Sequence, residues 1–389
     1  MPGGRRLVRN RLLLLLVVAG LLAAFLLSFV SHAPNRLVSG RGVGLGEVAG
    51  GLRWLALLPG FLLLPIPFLP QRREILWLAG IFSAVFLLAL CWLAGDSVMR
   101  LAEGAPPAAR TSLGSGFWIL SFCAVLALVD AVQRLRLSTA LGLLIAALVM
   151  AFIVALGFSG AFDRLSLALE IANRRDVFEA AVMRHILLVL GALLPAVLIG
   201  IPLGFWAHRR ASASGGLFTM LNLIQTIPSM ALFGLLIAPL AALVAAMPWL
   251  ASLGIAGIGP TPAIIALVAY SLLPIARNTA EGLSGVPAAS VEAGRGMGMT
   301  GGQLFWRVEL PLALPVFLSG LRITAVQAIG LAAVAALIGA GGLGSIMFEG
   351  LFANALDLVV LGALPVVFLA LATDGVFRLV TAAVEAGPR

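Results

Sequence analysis

The strongest constraint on this chain is a repeated pattern of apolar runs, each long enough to cross a bilayer as a helix. A membrane-spanning helix needs roughly 20 predominantly apolar residues. The sequence has ten such runs, five before residue 160 and five after residue 185. The run at 217–247 is long enough to be kinked or broken at Pro228 or Pro239. The ten runs lie at residues 12–30, 52–69, 75–94, 117–132, 141–158, 186–206, 217–247, 263–276, 316–338 and 356–379.

Composition sets the fold class. Hydrophobic residues make up 61% of the chain and charged residues 11%, where soluble domains average roughly 45–50% and about 25%. The run at 12–30 follows several arginines, but it is longer than the apolar core of a typical signal peptide and lacks a clean cleavage site. We therefore predict an all-α, polytopic membrane protein with about ten transmembrane helices.

The polar residues exclude several function classes. The net charge of +9 comes from 25 basic residues, all arginine, placed at the ends of apolar runs, which is typical of membrane topology and not of nucleic-acid binding. Without lysine the chain cannot carry a P-loop for ATP. Cys91 and Cys123 lie within apolar runs and His32, His185 and His208 are far apart, so we expect neither a disulfide framework nor a metal site. No pairing of carboxylates, or of a nucleophile with a histidine, indicates catalytic residues.

The arginine distribution predicts the orientation, because cytoplasmic loops carry an excess of basic residues. Fifteen arginines fall on one side of the ten runs and nine on the other, with Arg322 inside a span. Both termini are then predicted to be cytoplasmic. We divide the chain into an N-terminal transmembrane extension (1–160), an amphipathic external connector (161–184) and a second transmembrane domain (185–382). For the connector, a simple connecting helix and a role in docking a partner both remain open.

A polar, glycine-rich stretch at residues 291–311 interrupts the apolar second half of the chain. Pro287 suits the first turn of a helix, and three glycines at alternate positions weaken that helix and favour a bend. Thr300 and Gln303 have the spacing of a capping box, which predicts a second helix directly after Thr300. Pro311 is predicted to end this second helix. Such a helix–bend–helix between two spans is suited to contact something in the cytoplasm.

This stretch resembles the EAA loop of ABC importer permeases, the segment that fits a groove on the ATPase subunit. The resemblance rests on Glu292-Ala293, Gly298, Val308 and Leu310-Pro311 at the family's spacing. It departs from the usual pattern at position 294, which is glycine where a second alanine is common. We call residues 284–311 the coupling loop. The ATPase-coupling residues that the resemblance implies are Glu292, Ala293, Arg295, Gly298, Leu304, Phe305, Trp306, Leu310 and Pro311.

The implied roles differ among these residues. Gly298 is expected to provide the bend, while Glu292 and Arg295 make polar contacts to the ATPase. An apolar docking area is expected from three consecutive side chains: Leu304, Phe305 and Trp306.

The resemblance extends over residues 184–382, block by block, to permeases of osmoprotectant importers for glycine betaine, choline and related quaternary ammonium compounds. Residues 1–160 resemble the N-terminal extension of a longer subclass. The resemblance implies a type I core of five helices in a bacterial inner membrane. It also implies a second identical or homologous permease subunit and an external substrate-binding protein. ABC ATPase subunits would bind ATP, so that this chain itself holds no cofactor.

The implied function has three alternatives. Another solute such as an amino acid remains open. A secondary transporter would need ion-coupling residues and an internal repeat, and a membrane-embedded enzyme would need a catalytic constellation.

Four polar residues recur within the run at 217–247. Asn222, Gln225, Thr226 and Ser229 have the spacing of one helical face. Polar groups facing lipid are costly, so this face is expected to meet protein or a water-filled path. A wall of the translocation pathway, and hydrogen bonds that hold the bundle together, both remain open.

Other residues in or near the spans have weaker interpretations. Tyr270 is assigned to the translocation pathway. An aromatic ring can hold a quaternary ammonium group, but Trp249 and Tyr270 are too few to argue a substrate site from. Arg322 is either functional, or it snorkels toward the cytoplasmic side or pairs with a carboxylate such as Glu309. Arg277 and Glu281 should form a local ion pair. The GAGGLG sequence at 339–344 is read as a tight turn between spans, with a gate element as the minority alternative.

Overall fold

The computed structural model describes residues 8–35, 38 and 40–385. The chain divides into two compact units, Met1–Asn173 and Arg174–Arg389. Four arginines that entered the orientation count, at positions 5, 6, 36 and 389, lie outside the described residues.

The N-terminal unit is a helical bundle with a small sheet. Short 3-10 helices, Gly51–Leu57 and Ile66–Phe68, flank the third α-helix, because the prolines around it interrupt regular hydrogen bonding. In chain order its elements are α1 (Arg11–Leu26), β1 (Ser28–Ala33), β2 (Arg41–Gly44), α2 (Leu45–Val48), α3 (Leu58–Leu63), α4 (Arg73–Ala102), β3 (Arg110–Leu113), α5 (Ser115–Arg134), α6 (Thr139–Phe158) and α7 (Ser166–Asn173).

The sheet is a feature that the sequence analysis does not predict. Strand β1 lies in the middle and pairs antiparallel with β2 and with β3. The predicted first span therefore ends at Leu26 and not at residue 30, because Ser28–Ala33 forms strand hydrogen bonds instead of continuing the helix. The sheet has only three short strands, and the chain remains all-α in class.

Buried polar contacts fix the start of α1 against α5. The side chain of Asn10 accepts a hydrogen bond from the Leu13 amide and caps α1. Its Nδ2 donates to Asp130 Oδ2 over 2.7 Å. Arg134 donates from Nε to both oxygens of Asp130 at 2.9 and 2.8 Å, and from Nη2 to Asn10 Oδ1 at 3.2 Å. Each of the three side chains thus bonds to the other two, which makes a connected network around the buried Asp130 carboxylate.

The C-terminal unit contains ten helices within the described residues. A π-helical segment, Phe305–Glu309, and a 3-10 segment, Ala335–Ile338, join some of them without a break. In chain order the α-helices are α8 (Arg175–Arg209), α9 (Ala211–Thr226), α10 (Ser229–Ala246), α11 (Trp249–Ser252), α12 (Pro260–Ser284), α13 (Ala288–Gly296), α14 (Gly301–Leu304), α15 (Leu310–Val334), α16 (Leu343–Phe352) and α17 (Leu356–Glu385).

The predicted spans are confirmed by the helices. In the described residues, nine helical segments are long and apolar enough to cross a membrane, and the shorter α1 occupies the first apolar run. The run at 217–247 is broken at Pro228, where Ile227 and Pro228 are extended between α9 and α10. Pro239 lies inside α10.

The segment at 161–184 is not one amphipathic helix. It contains turns, the short α7, and the first residues of α8, which begins at Arg175 and continues through the next apolar run. The charged residues from Arg175 onward therefore lie in the first turns of a 35-residue helix, and those before it lie in the turns and in α7.

The core of the C-terminal unit lies where α8, α12 and α15 pack side by side. Small residues dominate it, which lets these helices approach closely. Gly200 and Gly204 of α8 face α12: a Cβ on Gly200 would lie 2.7 Å from Ile275 Cγ2, and one on Gly204 would lie 2.6 Å from Thr279 Cβ. The pair α8 and α12 is consequently in tight contact along the half that leads to the coupling loop.

Candidate functional site

The coupling loop folds as two short helices joined by a left-handed glycine. Helix α13 begins after Pro287, which is its N-cap and lies one position before the predicted first turn. Gly298 has φ of +77°, a conformation that a side chain strongly disfavours. Thr300 and Gln303 form the predicted capping box, with Gln303 N donating to Thr300 Oγ1 at 3.4 Å and Thr300 N donating to Gln303 Oε1 at 3.0 Å. The predicted helix start and capping box are confirmed.

Leu304 lies between the two helices. It is only 5% exposed, and a Cβ at Gly294 would lie 2.6 Å from its Cδ1. This contact gives a physical reason for glycine at position 294, where the EAA pattern usually has alanine. Because Leu304 is buried within the loop, it cannot supply exposed docking area as predicted; it holds α13 against α14.

The predicted helix end at Pro311 is wrong. The chain stays helical from Gly301 through the π-helical segment Phe305–Glu309 into α15, where Pro311 occupies the first turn. A proline ring clashes with the carbonyl four residues earlier in a regular helix, and the wider π turn directly before it accommodates the ring. The second helix of the coupling loop is therefore continuous with a transmembrane helix.

Aromatic contacts join the coupling loop to the end of α8. The rings of Phe205 and Phe305 meet edge to face, with centroids 5.4 Å apart and an interplanar angle of 77°. The guanidinium of Arg209 lies 4.4 Å from the centroid of Phe205, a cation–π distance. A 2.9 Å hydrogen bond joins His208 Nδ1 to Ser284 Oγ at the end of α12. Phe305 is thus half-buried and faces α8, which leaves it little area for a partner.

Sequence reasoning missed Phe205 and Arg209 as residues that support this loop. A signal was present, since an aromatic residue and an arginine four positions apart at the end of an apolar run can share one helical face. The coupling residues that remain exposed are Glu292, Ala293, Arg295, Gly298, Trp306 and Pro311, and Leu310 is half-buried.

The polar residues of the run at 217–247 are only partly brought together. Gln225 Nε2 donates to the Tyr270 carbonyl at 2.8 Å, and the Tyr270 hydroxyl donates to the carbonyl of Ile227. Tyr270 of α12 therefore fixes the break between α9 and α10. Ser229 begins α10, beyond the break, so the prediction of one shared helical face is wrong for it.

The other two polar residues lie on the outside of the chain. Asn222 and Thr226 are exposed on α9, and the Thr226 hydroxyl donates back to the Leu223 carbonyl at 2.7 Å. The structure thus separates Gln225 and Tyr270, which bond within the unit, from Asn222 and Thr226, which face outward.

The structure tests the predicted ion pairs of Arg322 and Arg277. Arg322 pairs with Asp374 of α17, with Nε 3.7 Å from Oδ1, and not with Glu309. Arg277 and Glu281 form the predicted local ion pair at 3.5 Å. In the part of the chain that the structure describes, no group of three or more His, Cys, Asp or Glu residues could hold a metal ion.

Comparison with known proteins identifies the class. Residues 196–386 match the family model described as binding-protein-dependent transport system inner membrane component, and residues 9–168 match the N-terminal domain of ABC transporter permease YehY. The chain belongs to the family of inner membrane components of binding-protein-dependent transport systems. It is a multi-pass membrane permease of an ABC importer, and its family works with an ATPase and a binding protein.

Three individual relatives show which transport systems the chain is similar to. Over 191 residues, 49% of this chain, it is 42% identical to the osmoprotectant import permease protein OsmW of Salmonella typhimurium, 84% of which is covered. It is 38% identical to the carnitine transport permease protein OpuCB of Listeria monocytogenes over 49% of this chain and 80% of that protein. It is 39% identical to the choline transport system permease protein OpuBB of Bacillus subtilis over 50% of this chain and 82% of that protein.

A solved structure of the MetNI methionine ABC transporter in an inward-facing conformation is similar at 24% identity and a TM-score of 0.45, covering 54% of this chain and 98% of that one.

Proposed function

We propose that this permease forms the pathway for an osmoprotectant, glycine betaine or a related quaternary ammonium compound, delivered by an external binding protein. The support is that relatives at 36–42% identity are described as permeases for osmoprotectants, carnitine, choline and glycine betaine. The chain moves substrate without chemistry. A separate ATPase chain binds and hydrolyses ATP, since this sequence has no lysine for a P-loop.

The coupling loop receives the work of the ATPase. The observation that carries this proposal is the exposed face of α13 beside an α14 that continues into α15. Glu292 and Arg295 supply polar contacts, and Trp306, which is 68% exposed, supplies the apolar anchor. Leu304 and Phe305 act inside the chain, where they connect the loop to its own helices and to α8.

The pathway runs along α9. Asn222 and Thr226 face away from the unit, and a second permease subunit, identical or homologous, covers that face and encloses the path. Gln225 and Tyr270 set the position of the break that ends α9, and Ser229 is the first residue of α10 beyond it. Both termini lie in the cytoplasm, in keeping with the arginine bias, and lipid surrounds the remaining apolar faces.

Residues 1–160 form a transmembrane extension that precedes the transport domain at 185–382, with the charged turns at 161–184 between them. The extension folds around its own polar contacts, such as those of Asp130.

Uptake by cells tests the proposal. We expect cells that express this chain with its ATPase and binding protein to accumulate labelled glycine betaine, choline or carnitine, and cells without this chain not to do so. A labelled amino acid serves as the comparison substrate. Uptake of the amino acid alone would reject the osmoprotectant assignment, and uptake that persists without the ATPase would indicate a secondary transporter.

A further inference from the structure

The glycine turn at residues 339–344 is held firmly by the rest of the C-terminal unit. Gly339, Gly341 and Gly342 have φ of +82°, +81° and +81°, which only glycine adopts without strain. Between them Ala340 is fully buried, in the same core cluster as Leu188 of α8. The turn is therefore a fixed part of the core, and it is not a loose connection between two spans.

Two consecutive residues of α8 hold this turn and the helix before it. Arg184 Nε donates to the Ala340 carbonyl at 3.1 Å. His185 is fully buried, and its Nε2 lies 3.1 Å from the Ile329 carbonyl of α15. A carbonyl can only accept, so Nε2 carries the proton in this contact.

The other ring nitrogen shows that His185 is not a simple core residue. Nδ1 is buried without a hydrogen-bond partner in the described residues, and a Cβ at Gly342 would lie 3.3 Å from it. An apolar side chain would fill this space without leaving a polar atom unpaired, which is costly. The bond from Nε2 to α15 and the fit against Gly342 are what the histidine contributes.

The opposite end of α8 contacts the coupling loop. Phe205 packs against Phe305 there, and Phe205 and His185 are twenty residues apart in one helix. At about 1.5 Å per residue this is roughly 30 Å, which is about the thickness of the hydrocarbon core. Helix α12 runs beside α8, leads directly into the coupling loop, and at its other end Gly259 N donates to the Ile338 carbonyl at 2.9 Å.

We propose that Arg184 and His185 are positioning residues that fasten the glycine turn to the far end of α8, so that α8 and α12 carry movement of the coupling loop across the membrane to that turn. The contacts stay closed through the cycle, and the turn moves with the two helices. This inference rests on the proposed function of the coupling loop, and it adds the element that responds on the other side.

Nucleotide-dependent labelling tests the proposal. Ser345 is exposed at the start of α16, directly after the turn, and Ser345→Cys provides a site for a membrane-impermeant maleimide. The permease, assembled with its ATPase, is labelled with and without a non-hydrolysable ATP analogue. We expect the analogue to change the labelling rate by about fivefold, the lower end of typical coupling between two distant sites.

Variants that release the turn should abolish this dependence while ATP hydrolysis continues. His185→Phe removes the bond to Ile329. Arg184→Ala removes the bond to Ala340 at an exposed position, where a substitution disturbs packing less than at the buried His185. His185→Gln can still donate to Ile329 and should restore the response. Met183→Ala, on the exposed neighbour of Arg184, is the matched control and should behave as the parent protein.

Two results would overturn the inference. One is a parent protein whose labelling does not respond to the analogue, and the other is an Arg184→Ala variant whose labelling responds as the parent does. Neither result depends on the transported solute, so a failure of the osmoprotectant assignment, measured by uptake, is distinguishable from a failure here.

Discussion

The two compact units use their polar side chains for different purposes. In the N-terminal unit, polar groups bond to one another within the unit: Asn10, Asp130 and Arg134 form one network, and Asp96 accepts from Arg53 and Arg100 at 2.7 and 2.9 Å in another. These contacts fasten elements that are distant in sequence. Together with two apolar clusters of the unit, they hold its elements in place.

In the C-terminal unit, some polar side chains bond within the unit, such as Gln225 with Tyr270 and residues at both ends of α8, and others stay at the surface. Arg184 and His185 act at one end of that helix and His208 at the other, while Asn222 and Glu292 remain exposed on separate surfaces. A permease of this family works with an ATPase and a binding protein, and we propose that a second subunit covers its outward face. The comparison indicates that these charged side chains of the N-terminal unit stabilise its own fold, whereas several polar side chains of the C-terminal unit remain available to partners.

The largest effect on stability should follow from disrupting the hydrogen-bond network of Asn10, Asp130 and Arg134. Asp130→Ala leaves Arg134 and Asn10 without their shared acceptor, and removing one partner of a largely buried ion pair costs about 3 kcal/mol. We expect a lower melting temperature of the detergent-solubilised protein, and unchanged uptake per correctly inserted molecule. Asp163→Ala, on an exposed carboxylate of the same unit, is the control. Loss of uptake with unchanged stability would contradict a purely structural role for the network.

A change at the bend of the coupling loop should lower uptake and leave the amount of protein in the membrane unchanged, the reverse of the Asp130 variant. Gly298→Val forces a branched side chain into a left-handed position, at a cost of about 1–3 kcal/mol, and should lower glycine betaine uptake by roughly tenfold or more at an unchanged membrane level. Gly296→Ala is the control, since a Cβ there meets nothing within 4 Å and alanine favours the helix. Equal uptake in both variants, measured in cells beside an immunoblot, would argue against the bend as a coupling element.

The smallest effects are expected on α9, where one polar residue bonds within the unit and another faces outward. Gln225→Ala removes a hydrogen bond to Tyr270 and should lower the free energy of unfolding by about 1 kcal/mol. Asn222→Ala is exposed and should leave stability unchanged while reducing uptake. Thermal unfolding and uptake of the two variants are compared directly, and a pattern with the roles exchanged would reverse the assignment.

The sequence predicts local features of the coupling loop well. The capping box of Thr300 and the left-handed turn at Gly298 follow from rules that involve only neighbouring residues. The spans follow from apolar run length, which the bilayer thickness dictates. The role of Pro311 was predicted wrongly, because a π turn that absorbs a proline has no distinct sequence signal.

Contacts between distant segments could not be read from the sequence. Leu304 has the composition of a docking residue, and only its contact with Gly294 reveals that it is buried. Arg322 has several carboxylates within possible reach, and the packing of α15 against α17 selects Asp374. The three-stranded sheet was missed for a similar reason, since its strands are separated by up to three α-helices and show no alternation strong enough to stand out from the apolar runs.

Transport by this permease depends most directly on contact between the ATPase and the exposed face of the coupling loop. One measurement tests that contact. Arg295→Cys, in the assembled transporter, should cross-link to a cysteine in the groove of the ATPase subunit and should be modified by an impermeant maleimide only when the cytoplasmic face is open. Modification of this cysteine from outside intact cells, with no cross-link to the ATPase, would contradict the account.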